Sequence, residues 1–148
     1  MAECRTGRMM LAALAAVAIA MAGVLIAGCA GGGSLSEGLP EWGDEAALAE
    51  QAQALVTDYS ARDYEAVSRR CAGLGLSAAD FAESGDAMLD TLGEFSSFSD
   101  TVYMTGADDE GRAYAVVIQM ADYASGSAQY TVSFYEDGTV CGFYAKPL

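Results

Sequence analysis

The sequence predicts an α+β domain with N-terminal helices packed on one face of a curved, four-stranded antiparallel sheet. Three observations lead there. Apolar residues recur at helical spacing from Leu48 to Leu92. From Phe95 onward the repeat shortens to two. Turn sequences rich in Asp, Ser and Gly then divide the second half into four strand-length runs. Helices followed by a meander make an α+β arrangement rather than an alternating parallel one.

The chain opens with Arg5 and Arg8 against Glu3, followed by an apolar run from Met9 to Gly28 and then Cys29. The basic segment stays on the cytoplasmic side, and an apolar run of about 20 residues is long enough to enter a bilayer. The stretch Leu25-Ile26-Ala27-Gly28-Cys29 resembles the lipobox of bacterial lipoproteins. The resemblance implies cleavage between Gly28 and Cys29 and a lipid on the Cys29 sulfur, so residues 1–28 form the signal peptide. It also implies anchorage in membrane lipid, with the remainder on the extracytoplasmic face of the cell membrane. An uncleaved transmembrane anchor is the alternative. A cysteine at the end of the apolar run, followed by Gly31-Gly32-Gly33-Ser34, favours the lipobox. Two acyl chains at about 0.8 kcal/mol per buried methylene hold a protein stably where one does not. Residues 29–43 read as a flexible Gly/Ser tether with Trp42 docking at its end, and residues 44–148 as the folded domain.

Asp44 is the expected N-cap of the first helix, with Glu45 in the first turn suiting the helix dipole. Leu48, Ala52, Leu55, Val56 and Tyr59 form one apolar stripe, and the helix runs to about Ala61. Asp63 caps a short second helix that turns Tyr64 and Val67 inward and Arg69 and Arg70 outward, ending at Gly73 and Gly75. Ser77 and Asp80 have the spacing of a capping box, and Leu76 and Phe81 that of a hydrophobic staple. Phe81, Met88, Leu89 and Leu92 give the third helix its buried face. Gly85 in mid-helix costs up to about 1 kcal/mol and allows a kink, and Gly93 stops the helix.

The first strand is expected over Phe95 to Thr105, with Phe98, Val102 and Met104 on one face, followed by a turn at Asp108-Asp109-Glu110-Gly111. Arg112 to Tyr123 places Tyr114, Val116, Ile118 and Met120 on one face and Ala113, Ala115 and Val117 on the other. Apolar groups on both faces indicate a central strand. Ser125-Gly126-Ser127 turns the chain into Ala128–Tyr135, and Glu136-Asp137-Gly138 turns it again into a last strand over Thr139–Ala145.

Charge and cysteine usage bound the function. The chain holds 21 acids and 7 bases for a net charge of −14; without Glu3, Arg5 and Arg8 it keeps 20 acids and 5 bases, a net −15. Such a surface repels phosphate backbones and anionic headgroups, which excludes nucleic acid as a partner and stands the domain off the membrane. Processing removes Cys4 and commits Cys29 to lipid, leaving Cys71 and Cys141. An oxidising compartment permits a disulfide between them, closing a loop of about 70 residues and contributing roughly 4 kcal/mol. Two buried thiols are the other reading, and spacing leaves both open.

Asp63-Tyr64-Glu65-Ala66-Val67, Leu92-Gly93-Glu94-Phe95, Tyr114-Ala115-Val116-Val117 and the hairpin from Val132 to Phe143 together resemble a bacterial family, domain of unknown function 3887. The resemblance spans about residues 45–146. It implies a cone of the nuclear transport factor 2-like, or cystatin-like, kind, in small secreted or lipid-anchored domains. It carries no catalytic residues to this chain.

Catalytic chemistry finds little purchase. Without histidine there is no Ser-His or Cys-His nucleophile and no imidazole metal site. The Gly-rich stretch lies in the tether, away from any strand–helix junction, so it is no phosphate loop. Asp108-Asp109-Glu110 lacks the spaced ligands of a calcium loop and reads as an exposed acidic turn. Neither metal nor cofactor is expected. One enzymatic arrangement fits a cone fold of this kind, as in ketosteroid isomerases: Asp100 or Asp122 as general base beside Tyr103, Tyr114 or Tyr130. A small apolar ligand held in the cone is a second alternative. The favoured expectation is a non-catalytic accessory or interaction domain, meeting a protein partner or a second copy through its sheet. Its core is filled, with Phe81, Leu89, Tyr114 and Phe134 in mutual contact. A solvent-connected pocket of about 300 Å³ or more would count against it.

Overall fold

Asp44 Oδ1 accepts the Ala47 amide at 2.8 Å and starts α1, Glu45–Ser60. The structure, a computed structural model, describes residues 34–148; Gly28, Cys29 and the signal segment lie outside the described residues. Leu48, Ala52, Leu55, Val56 and Tyr59 are the buried residues of α1, as their spacing predicts. Asp63 accepts the Ala66 amide and opens α2, Tyr64–Arg70, which buries Tyr64 and Val67. A 3₁₀ turn over Ala72–Leu74 leads to α3, Ala78–Leu92. The Ser77–Asp80 capping box forms in full: Ser77 Oγ accepts the Asp80 amide, and Asp80 Oδ2 accepts the Ser77 amide at 2.8 Å. The Ser77 hydroxyl, which donates to Asp80 Oδ2 at 2.7 Å, and the Ser77 amide hold the Asp80 carboxyl below its ordinary pKa. Gly93 stops α3 at φ 78°, a left-handed conformation that side chains rarely adopt.

Two expectations for α3 change. Met88 is only half-buried, and Gly85 takes its place inside. No kink is needed to explain this glycine. A Cβ there would lie 2.5 Å from Tyr59 Oη and 3.0 Å from Tyr64 Oη, so its bare backbone admits two tyrosines.

The sheet has five antiparallel strands in sequence order: β1 Ser36–Glu37, β2 Phe95–Ala107, β3 Ala113–Tyr123, β4 Gly126–Phe134 and β5 Val140–Pro147. The expected four-stranded sheet therefore gains an edge. The extra strand is only two residues long and carries no alternating pattern, so no periodicity announces it. It comes from the segment expected to be a flexible tether. Ser36 pairs with Thr105 and Glu37 with Met104, while Gly38 N–H donates to the Tyr103 carbonyl and Thr105 Oγ1 donates to the Gly38 carbonyl. Leu39 and Trp42 then pack against the core.

The helices cover one face of this sheet. Residues of α1, α2 and α3 meet Ala115, Val117, Ala121, Tyr123, Tyr130, Val132, Phe134 and Phe143 in one apolar cluster. At its centre Tyr59 stands edge-on to Tyr64, Tyr130 and Phe143, with ring centroids 5.3–5.8 Å apart. Strand β3 is central, with neighbours on both sides, as its two apolar faces predict.

Bulges bend the sheet and redirect side chains. In β2 the register shifts between Phe98, opposite Ala121, and Thr101, opposite Gln119. Phe98 therefore packs on the helix side while Val102 and Met104 face away, which corrects the expectation that all three share a face. A second shift places Cys141 between Gly142, opposite Ser133, and Val140, opposite Phe134. Cys141 consequently joins Tyr114 and Val116 on the outer side, whereas Cys71 sits in the helix-side core. The sheet separates the two sulfurs, and no disulfide joins them. The bulge, which simple alternation does not foresee, is the reason.

Candidate functional site

The inner face binds its polar groups to one another. Gln119 is fully buried. Its Nε2 donates to the Asp100 and Met120 carbonyls at 3.1 and 2.9 Å, and its Oε1 accepts from Thr101 Oγ1 and Gln53 Nε2 at 2.9 and 3.1 Å. One side chain thus ties the β2 bulge to β3 and α1. A second chain of hydroxyls runs Ser60–Tyr123–Tyr130, with oxygen separations of 2.6 and 2.5 Å. Burial, helped by the Tyr123 hydroxyl, pushes the Tyr130 phenol well above its ordinary pKa. Among the described residues no buried side-chain polar atom lacks a partner.

This arrangement scatters the residues expected for general-base chemistry. Asp100 is exposed, and only its backbone carbonyl reaches Gln119. Asp122 accepts Ser127 Oγ at 2.8 Å. Tyr103 donates to the Glu45 carbonyl at 3.2 Å. Tyr114 lies on the outer side with Val116 and Cys141. Only Tyr130 lies deep in the inner face, where Tyr123 occupies its hydroxyl. Phe81, Leu89 and Phe134 share the core as expected, but Tyr114 does not: its ring lies over Gly106 on the far side of the sheet.

Two solvent-connected clefts, of about 480 and 330 Å³, exceed the size that counts against a filled core. One of about 480 Å³ is lined by Trp42, Arg112, Ala113, Glu136 and Asp137. The other, of about 330 Å³, is lined by Ser60, Arg62, Leu89, Asp90, Gly93 and Glu94. Both are open surface features bordered by charges, unlike the tyrosine-lined interior that an apolar ligand needs. In the acidic turn Asp108 is already committed. Its Oδ1 accepts the Glu110 and Arg112 amides and its Oδ2 the Tyr135 hydroxyl, which lowers its carboxyl pKa.

The outer face of the sheet has a different character. The register aligns Val102, Ile118, Thr131 and Tyr144 in one cross-strand row, and Met104, Val116, Ser133 and Gly142 in the next. Across β2 to β5 neither row contains a charge. Val102 is 48% exposed at the edge of this surface, and Leu35, 43% exposed, immediately precedes β1. Glu37 extends the second row at the β1 margin, beside Met104. A third row, Met120, Gln129 and Lys146, ends in a cation at the β5 margin. The alternation in β3 identifies part of this face in the sequence; the bulge in β2 hides Val102 and Met104 from the same reading.

Among the described residues no helix is long and apolar enough to cross a membrane. Neither a family profile nor a curated protein matches the chain. Among solved structures, the chain is similar to the NMR structure of a protein from Ruminococcus gnavus ATCC 29149. The match has 25% identity and a TM-score of 0.66, covering 76% of this chain and 99% of the other.

Proposed function

We propose that this chain is a lipid-anchored extracytoplasmic lipoprotein whose folded domain is a non-catalytic accessory module. It assembles with a second copy through the outer face of its sheet. The observation that carries this reading is the pair of uncharged cross-strand rows, with Val102 48% exposed, on a chain of net charge −14. Two bodies of like charge repel, so contact is favourable only where an uncharged apolar area is buried. The internally bonded polar groups support a structural rather than a catalytic role for the inner face.

The anchor fits this geometry. With Cys29 lipidated, six residues precede β1, a span of at most about 25 Å. Copies anchored this way are confined near one membrane plane, which raises their effective concentration. The finer fold reading, a nuclear transport factor 2-like cone of the domain of unknown function 3887 kind, is supported by three helices on one face of a bulged antiparallel sheet.

The test is sedimentation of the full-length protein in mild detergent, with palmitate labelling in cells. The expected result is a dimer that Val102→Asp converts to a folded monomer, and label that Cys29→Ser abolishes. A parent protein that sediments as a monomer at high concentration would overturn the assembly. Unlabelled parent protein recovered from the cytosol would overturn the anchor.

A further inference from the structure

The Trp42 cleft lies on a different part of the molecule from the outer-face rows, and neither the anchor nor the dimer uses it. It forms where the end of the tether segment meets the turn before β3 and the turn between β4 and β5. We propose that this cleft binds a neutral oligosaccharide, one sugar ring stacking on the Trp42 indole while its hydroxyls bond to Arg112 and Asp137.

The groups lining the cleft are held in place before any ligand arrives. Trp42 is the third residue of a turn closed by Gly43 N–H donating to the Pro40 carbonyl at 2.8 Å. Part of its side chain packs against the core and part lines the cleft. Its Nε1–H has no protein acceptor among the described residues. The Arg112 guanidinium lies 3.6 Å from the centre of the Tyr135 ring and 3.4 Å from Asp137 Oδ2. Tyr135 is fixed in turn by its hydroxyl bond to Asp108. Asp137 accepts the Thr139 amide at 3.0 Å, and that bond leads the effects that keep its carboxyl below the ordinary pKa.

These groups select by chemistry. A guanidinium carries five N–H donors and no acceptor, and a carboxylate accepts only. Glu136 and Asp137 repel phosphates and carboxylates, and Arg112, paired with Asp137, offsets part of their attraction for cations. An apolar ligand would strip water from all three charges without replacing their hydrogen bonds. A sugar meets each demand: its hydroxyls donate to Asp137 and Glu136 and accept from Arg112, and its C–H face lies against the indole. A volume of about 480 Å³ falls in the range of small-molecule sites.

The chain contains one tryptophan, so its emission, excited selectively over the eight tyrosines, reports on this cleft. Full-length protein is titrated with maltotriose, cellotriose and triacetylchitotriose. At least one is expected to give a saturable emission change with a Kd of about 1 mM or tighter. Asp137→Asn and Arg112→Gln are each expected to weaken that Kd about tenfold without lowering the thermal midpoint below the assay temperature. Trp42→Ala, followed by saturation-transfer NMR of the sugar, is expected to lose binding. No saturable response to any of the three sugars overturns the proposal. So does binding that survives both Trp42→Ala and Arg112→Gln in proteins shown to be folded.

Discussion

Replacing Gly85 with alanine sets two effects of opposite sign against each other. In an exposed helix interior the change is worth about 1 kcal/mol in favour of folding, because alanine loses less backbone entropy. At Gly85 the new Cβ would sit 2.5 Å from Tyr59 Oη, 2.8 Å from Tyr59 Cζ and 3.0 Å from Tyr64 Oη. Tyr59 has nowhere to retreat. It is 2% exposed and packed edge-on against Tyr64, Tyr130 and Phe143. Overpacking of this kind costs typically about 1–3 kcal/mol. The contact distances place Gly85→Ala toward the upper part of that range, so the net result is a loss of about 1–2 kcal/mol. For a domain of this size that lowers the thermal midpoint by about 4–8 °C. Thermal and urea unfolding followed by circular dichroism measures it. Glu83→Ala, two positions away and exposed, serves as the control and stays within about 0.5 kcal/mol. Tyr59→Phe combined with Gly85→Ala removes the nearest clash and recovers part of the loss, so the two changes are non-additive. A Gly85→Ala protein as stable as the parent would refute the account of why this glycine sits in mid-helix.

The other expectations concern buried polar groups and titration. Gln119→Ala leaves Gln53, Thr101 and the Asp100 carbonyl without their shared partner, and lowers stability by about 2–4 kcal/mol in urea titrations. Tyr130→Phe cuts the Ser60–Tyr123–Tyr130 chain at its buried end while Tyr123 keeps Ser60, so the loss is smaller, about 1 kcal/mol. Burial pushes the Cys71 thiol up to about 12. Its raised pKa stabilises the fold below the unfolded thiol's value of about 8.5, and that contribution is lost as pH rises toward 12. Stability therefore falls on the alkaline side, and Cys71→Ala, though less stable at pH 7, shows a shallower decline. Under non-reducing conditions iodoacetamide leaves Cys71 unlabelled in the native protein and labels both Cys71 and Cys141 after unfolding. A mass two hydrogens short with no label would instead reveal a disulfide.

Signals in the sequence are legible where they act over a few residues. Asp44, Asp63 and the Ser77–Asp80 box cap the helices they announce, because a capping bond is made between residues three apart and needs no tertiary partner. The stripe from Leu48 to Tyr59 is buried for the same reason: helix geometry alone puts those residues on one face. The faces of β2 are not legible in the same way. One extra residue at the bulge before Thr101 reverses which side every later residue takes, so Val102 and Met104 move to the outer face that carries the proposed contact. Gln119 is a polar residue within an apolar strand, and its place between Val117 and Ala121 on the inward-facing alternation marks it as buried.

What the sequence determined by itself is the succession of three capped helices and four main strands, the centrality of β3 and the acidity of the surface. These follow from periodicity, short-range hydrogen bonding and composition. Only the tertiary structure decided that Ser36–Glu37 closes the sheet, that Cys71 and Cys141 lie on opposite sides of it, and that Trp42 meets Arg112 and Asp137 across a cleft. Each of those depends on where distant segments come to rest, and a bulge or a two-residue strand shifts that without leaving a repeat in the chain.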